Sequence, residues 1–210
     1  MSESGDSPRR LNVGCGPKHA RDGWWNVDIR DFPGVDQVMD VTKPWAFKDL
    51  EFVYAEHFLE HLTPREAIAF FSEALRALAA GGAIRLSTPA LEWVVHTHFT
   101  FESDDAKARH QTFATNRAFH GWGHKFLYSR ATLEWVMNGV GFSDVRFHDY
   151  GESETAEFVG IEAHGGFSRA GGYPSVWVVE GRKPDVAAGC VADVEAEFVE
   201  NFIKYVESGH

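Results

Sequence analysis

Along most of this chain, short apolar runs that end on glycine or aspartate alternate with stretches whose apolar residues recur at helical spacing. Residues 11–13 form an apolar run that stops at Gly14-Cys15-Gly16, which reads as a buried strand entering a tight loop. Residues 26–29, 35–39 and 52–55 read as three further strands, with Asp28 and Arg30 closing the first of them and Asp40 the second. The clearest helix follows. Thr63-Pro64-Arg65-Glu66 offers a capping Thr, Pro at the first helical position and Glu three residues after the cap. Ile68, Phe71, Leu75 and Leu78 then recur at helical spacing, and Gly81-Gly82 is expected to stop the helix. Residues 83–88 read as a fifth strand cut off by Pro89. Residues 129–140 read as a second helix, capped by Ser129, apolar at Leu133, Val136 and Met137, and terminated at Gly141. Residues 145–147 and 176–179 close the series as two more strands.

Strands separated by helices imply a mostly parallel sheet of seven strands covered on both faces, and thus an α/β doubly wound architecture. In such sheets ligands bind beyond the carboxyl ends of the strands. The candidate site residues therefore stand just after each strand: Gly14 to Gly16, Asp28, Asp40, Glu56 and His57, and the chain from Pro89 onward. Two segments break the alternation. Residues 91–127 form a long insertion after the fifth strand, rich in aromatic residues and His. The tail from Asp193 to Tyr205 reads as an amphipathic helix with Val194, Phe198, Phe202 and Tyr205 on one stripe. The expected organisation is a polar, disordered tail over 1–10, one domain over 11–183 with a lid at 91–127, and a linker plus helix over 184–210.

Charge narrows the function. Asp and Glu outnumber Lys and Arg 31 to 20, giving a net charge of −11, and no dense basic cluster occurs. A nucleic-acid binder needs Lys and Arg to displace counterions from phosphates, so DNA, RNA and anionic membranes are not expected partners. No stretch approaches the roughly 20 apolar residues of a membrane helix, and no signal-peptide core precedes the domain, so a cytoplasmic protein is expected. The two cysteines, Cys15 and Cys190, require no disulfide in a chain of 210 residues. Cys15 has no base beside it in sequence, so a nucleophilic role is not expected.

The loop Gly14-Cys15-Gly16 lets the backbone turn sharply and approach a ligand. A dinucleotide fingerprint needs a third glycine three residues after Gly16, where His19 stands, so NAD is disfavoured. Asp28 can accept charge-assisted hydrogen bonds from both hydroxyls of a ribose, or be a surface turn residue. Asp40 can face a base or simply a turn. The segment Tyr54-Ala55-Glu56-His57-Phe58-Leu59-Glu60-His61-Leu62 is the most distinctive in the chain.

With these residues in hand, the sequence resembles the class I S-adenosylmethionine-dependent methyltransferases, most of all a small bacterial branch similar to methyltransferase type 11. The matching elements are Leu11-Asn12-Val13-Gly14-Cys15-Gly16, then Gly23-Trp24-Trp25-Asn26-Val27-Asp28, then Glu60-His61-Leu62. Leu78-Ala79-Ala80-Gly81-Gly82, Leu86-Ser87-Thr88-Pro89 and Gly139-Val140-Gly141-Phe142 follow in order. The resemblance implies a Rossmann-like fold with S-adenosyl-L-methionine as cofactor. It places Asn12, Gly14, Cys15 and Gly16 around the methionine part, Asp28 and Ile29 at the ribose, Asp40 and Val41 at the adenine, and Ala55, Glu56 and His57 near the sulfonium. Glu60 and His61 would brace the fourth strand. Three departures stand out: Asn12 replaces the family's usual acid, Lys18 replaces a third glycine, and the 17–27 segment is too short for an ordinary crossover helix.

A small-molecule acceptor, such as a sugar or natural-product hydroxyl, is the expected partner. A different transfer from the same cofactor, such as of an aminopropyl group, and a non-catalytic binding module are the alternatives. Alignment of nucleophile, methyl and sulfur is the main demand on the protein, and a hydroxyl acceptor adds a general base. His120 and His124, flanking Gly121-Trp122-Gly123, are the favoured bases among the histidines of the insertion. A metal is the less favoured reading there, resting on His96 and His98 with Asp104 and Asp105. The C-terminal stripe could form a homodimer, although packing on its own sheet is simpler.

Overall fold

The computed structural model describes residues 8–99, 104–186 and 189–208. In chain order these form β1 (Arg10–Val13), β2 (Trp25–Asp28), β3 (Gln37–Val38), β4 (Leu50–Glu56), α1 (Pro64–Ala77) and β5 (Leu78–Pro89). The insertion holds α2 (Leu91–His98) and α3 (Asp105–His120). Then come α4 (Arg130–Val140), β6 (Ser143–His148), a small hairpin β7 (Arg169–Ala170) and β8 (Tyr173–Pro174), β9 (Val176–Arg182), α5 (Val191–Phe198) and α6 (Lys204–Glu207). The main sheet has seven strands in the order β3-β2-β1-β4-β5-β9-β6, with β1 to β5 parallel and β9 antiparallel to both neighbours. The expected fold class holds, with one reversed strand next to the edge. No helix joins β1 to β2, as the short 17–27 segment requires.

Local chemistry accounts for the element ends. Thr63 and Glu66 form a reciprocal capping box, with Glu66 N donating to Thr63 Oγ1 and Thr63 N to Glu66 Oε2. Ser129 caps α4 through Thr132 N. The expectation that Gly81-Gly82 ends α1 is corrected: the chain leaves the helix at Leu78, which turns extended and pairs with Leu50 as the first residue of β5. The glycines lie instead in a strand irregularity, where Gly81 takes φ +73°. The expected boundary of the tail at residue 10 is corrected as well. Arg10 already belongs to β1, and Arg9 O accepts from Glu51 N and Phe52 N; residues 1–7 lie outside the described ones.

Alternation along the strands sorts the sheet into two unlike faces. Leu11, Val13, Val53, Ala55, Ile84, Leu86 and Val179 face one way and build the apolar core with α1, α4 and α5. Gly139 of α4 makes this packing close, since a Cβ there would stand 2.3 Å from Val194 Cγ2 of α5. The expected C-terminal stripe holds only in part. Val194 and Phe198 are buried, but a π-helical turn at Val199–Ile203 brings Ile203 inward and leaves Tyr205 exposed.

On the opposite face, cover comes from loops around Trp24 and residues 149–168 rather than from helices. Here the strands present Asn12, Asn26, Glu56, Arg85, Ser87 and Glu180, all buried. Arg85, with no exposure, donates from Nε to Glu162 (2.6 Å) and from Nη1 to Glu180 (2.5 Å) and to Glu152 O (2.9 Å). Glu162 also accepts from Gly151 N and Glu180 from Ser153 Oγ. The covering loop is thus fastened to the sheet by one guanidinium, with Phe158 stacked against Trp24 and edge-on to Phe52 beneath it. Among the described residues no helix is long and apolar enough to cross a membrane.

Replacing Arg85 leaves two carboxylates buried without a cation, and breaking a buried pair in this way costs about 3–5 kcal/mol. Arg85→Ala is therefore expected to lower unfolding free energy by that amount in a denaturant titration. A loss below about 1 kcal/mol would show that water replaces the guanidinium freely.

Candidate functional site

A cavity of about 460 Å³ opens at the carboxyl ends of β1, β2 and β4. Gly14 lies in its floor, Asp28, Ile29 and Arg30 along one rim, and Met39 to Thr42 beyond them. His57, Phe58, His61 and Leu62 form the opposite wall, and Trp122 and Gly123 arrive from the insertion. Its size lies within the usual range of about 300–1,000 Å³ for ligand pockets. A larger concavity, about 710 Å³, sits at the amino ends of β4 and β5 among Arg9, Lys48, Glu51 and Arg182. The former is the candidate site, because open parallel sheets bind ligands at the carboxyl ends of their strands.

Loop chemistry fixes the Asp28 rim. Gly14 takes φ +66° and Gly16 φ +55°. A Cβ on Gly14 would fall 2.5 Å from the Phe58 ring, while beside Gly16 there is open space. Gly16 N donates to Asp28 Oδ2 (2.9 Å) and Arg30 N to Oδ1 (3.0 Å), so the carboxylate is oriented by two amides and keeps acceptor capacity. Asp40 accepts from the Thr42 hydroxyl (2.6 Å) and amide (2.9 Å), which hold its carboxyl below the usual range. Cys15 is buried, and burial, reinforced by Asp28 and Asp36, pushes its thiol up, as suits an inert side chain.

The histidine wall stands on Glu60, which has no exposure. Its Oε1 meets His57 Nδ1 at 3.1 Å, and its Oε2 accepts from Thr88 Oγ1 at 3.0 Å. His57 adopts φ +47°, a left-handed conformation costing a non-glycine residue about 1–2 kcal/mol. The Glu60 carbonyl accepts from Lys125 N (2.7 Å) and Phe126 N, tying the end of the insertion to this wall. His124 Nδ1 is 2.8 Å from Ala118 O, and its ring packs against His61 (5.3 Å) and Trp122 (5.7 Å). Trp122, at φ +56° between two glycines, is 72% exposed over the pocket.

Of the residues singled out from the sequence, Gly14, Asp28, Ile29, Asp40, Val41 and His57 line the cavity. Gly16 reaches it through its bond to Asp28. Asn12 does not line it: buried, it donates to His19 O and Asn26 Oδ1 (both 2.8 Å) and holds the loop. Ala55 belongs to the apolar core. Glu56 accepts from Ala163 N (3.0 Å) and His164 N (2.9 Å), anchoring the covering loop. His120, at the end of α3, is exposed and outside the lining. His96 and His98 stand on α2 rather than on a strand, so side chains two apart diverge, and Asp104 caps α3 through Lys107 N. The less favoured metal reading of these four residues therefore finds no convergent donor set among them.

Sequence reasoning missed His61 as a pocket residue by reading it as a brace. The signal was there: His61 follows His57 by four residues and sits on the short 3-10 turn Leu59–His61. Lys125, paired with Glu66 at 2.8 Å on the pocket rim, carried no local signal.

No protein-family model and no curated protein matches the sequence. Solved structures do match in shape. A S-adenosylmethionine-dependent methyltransferase from Archaeoglobus fulgidus superposes with a TM-score of 0.51 at 17% identity, covering 84% of this chain and 86% of that one. A possible exported protein from Bordetella parapertussis gives 0.51 at 15% identity, over 85% of this chain and 63% of its own. Phosphoethanolamine N-methyltransferase 2 of Haemonchus contortus, in complex with S-adenosyl-L-methionine, gives 0.50 at 13% identity, over 85% and 49%. The chain thus spans less than two thirds of the latter two structures. At these identities the likeness concerns architecture, and it agrees with the observed strand order and reversed β9. The chain has the class I S-adenosylmethionine-dependent methyltransferase fold.

Proposed function

We propose that the chain binds S-adenosyl-L-methionine in the Asp28 cavity and transfers its methyl group to a small-molecule hydroxyl, such as that of a sugar or natural product. The observation that carries this reading is the Asp28 carboxylate, fixed by two backbone amides on the rim of a pocket of ligand size. Asp28 would accept from the ribose hydroxyls. Gly14 and Gly16 would let the methionine part lie against the backbone, where the open space beside Gly16 fits it. Met39, Val41 and Leu62 supply an apolar bed for the adenine. The cofactor brings an electrophilic methyl group, so the protein's task is to align the acceptor and take up its proton.

Two imidazoles would take up that proton: His61, which lines the cavity, and His124, which stands outside the lining and packs against the His61 ring at 5.3 Å. A hydrogen bond from His124 Nδ1 to Ala118 O makes Nε2 the basic nitrogen. Trp122 would close over the acceptor, its flanking glycines permitting the movement. This reading passes over His120. The acidic surface supports a neutral or cationic small molecule rather than nucleic acid.

Calorimetry is expected to show S-adenosylhomocysteine bound and NAD not bound. Asp28→Ala removes two charge-assisted hydrogen bonds of about 1.5–3 kcal/mol each, so affinity is expected to fall at least tenfold. Unchanged affinity would make Asp28 a loop residue only.

With methyl-labelled cofactor and an accepted hydroxyl substrate, His61→Ala and His124→Ala are expected to lower turnover by roughly 10²–10⁴-fold and to alter the pH profile. S-adenosylhomocysteine affinity should survive. Normal turnover in both variants at neutral pH would assign the reaction to alignment alone.

A further inference from the structure

Outside the cavity wall, a second group of side chains converges from three distant parts of the chain. His19 comes from the β1–β2 loop, Glu56 from the end of β4 and His164 from the covering loop. One ligand-type atom of each lies within 4.8 Å of the other two. Rings of His19 and His164 stand 5.1 Å apart, and His164 packs 4.4 Å from His57, which also lines the cavity. We propose that His19, Glu56 and His164 form a binding site for a first-row divalent cation, such as zinc or iron(II), beside the Asp28 cavity.

The donor set suits such an ion: two imidazoles and one carboxylate, with positions left for water or a ligand oxygen. Donors around a metal at about 2.1 Å stand about 3–4 Å apart, within small side-chain rotations of the present spacing. Both histidines are held by their backbones. Buried Asn12 donates to His19 O (2.8 Å), and His164 N donates to Glu56 Oε1 (2.9 Å). These contacts fix the loops that carry the two imidazoles. Among the described residues, neither imidazole makes a hydrogen bond through a ring nitrogen. Glu56 Oε1 is taken up by Ala163 N (3.0 Å), His164 N (2.9 Å) and the Tyr150 hydroxyl (3.5 Å), whereas Oε2 accepts only from Ala163 N (3.0 Å), with the Arg21 guanidinium 3.8 Å away, so Oε2 is the oxygen left for the ion. A second trio, Glu60, His61 and His124, is equally compact, but its two histidines are those that the methyl-transfer reading above uses as bases. On the methyl-transfer reading above, the cation would give the acceptor oxygen a point of attachment, although binding of the ion does not depend on that reading.

Cobalt(II) titration of the chelator-treated full chain, followed by its visible absorption, tests the site. One saturable cobalt per chain is expected, displaced by zinc. His19→Ala and His164→Ala should each weaken it at least tenfold, whereas the pair His96→Ala and His98→Ala leaves it unchanged. Absence of saturable binding, or binding that survives in the His19 and His164 variants, would overturn the proposal. S-adenosylhomocysteine affinity measured on the same metal-free samples separates the two readings. Cobalt bound without S-adenosylhomocysteine supports the metal site and removes the cofactor reading; the converse keeps the cofactor reading and overturns the metal site.

Discussion

A guanidinium with no exposure must find its counter-charges inside the fold, and the way Arg85 does so organises one whole side of this molecule. The apolar face of the sheet follows ordinary packing logic, with α1, α4 and α5 burying Leu, Val, Ile and Phe side chains against it. The other face packs no α-helix among the described residues and carries buried polar side chains beside a small apolar cluster of Tyr54, Ala83, Phe158 and Ile161. Burial works against the charge on Arg85, but Glu162 and Glu180 more than offset it, and its guanidinium is held firmly protonated. Because Glu162 belongs to the covering loop and Glu180 to β9, a single cation closes the layer.

Glu56 repeats the device one strand over, gripping Ala163 and His164 by their amides. Asn12 does the same for the β1–β2 loop through His19 O. These polar contacts stand where a crossover helix and its apolar face would otherwise stand. Loops, rather than helix termini, thus carry His57 to the cavity and bring His19 and His164 together beside it, and strand residues hold those loops.

Much of the fold was legible locally. Thr63-Pro64-Arg65-Glu66 announced its capping box, Ser129 and Gly141 bracketed α4, and each strand of the seven-stranded sheet overlaps an apolar run, whereas the β7–β8 hairpin left no such signal. The Asp28 rim was legible for the same reason, since a strand end and a glycine loop lie close in sequence. What escaped depends on distance or on geometry without a residue signature. Glu162 is 77 residues from Arg85, and nothing in either neighbourhood names the other. The π turn in the last helix leaves no periodic mark, so Tyr205 was placed inside and Ile203 overlooked. Leu78 fits a helical stripe and a strand start equally well, and only its pairing with Leu50 decides.

One bridge between Ala90 and Tyr128, with Leu91 N donating to Tyr128 O at 3.1 Å, pins the two ends of the insertion side by side. Whatever lies between them therefore leaves and re-enters the sheet layer through the same doorway. Its own small core of Val94, Ala118 and Leu127 is separate from the main one. Loop-closure entropy grows only slowly with length, so a segment joined in this manner can be swapped or extended at little cost to the scaffold. Under the function proposed above, acceptor preference would be re-engineered by replacing that insertion while α1, α4 and the sheet stay untouched.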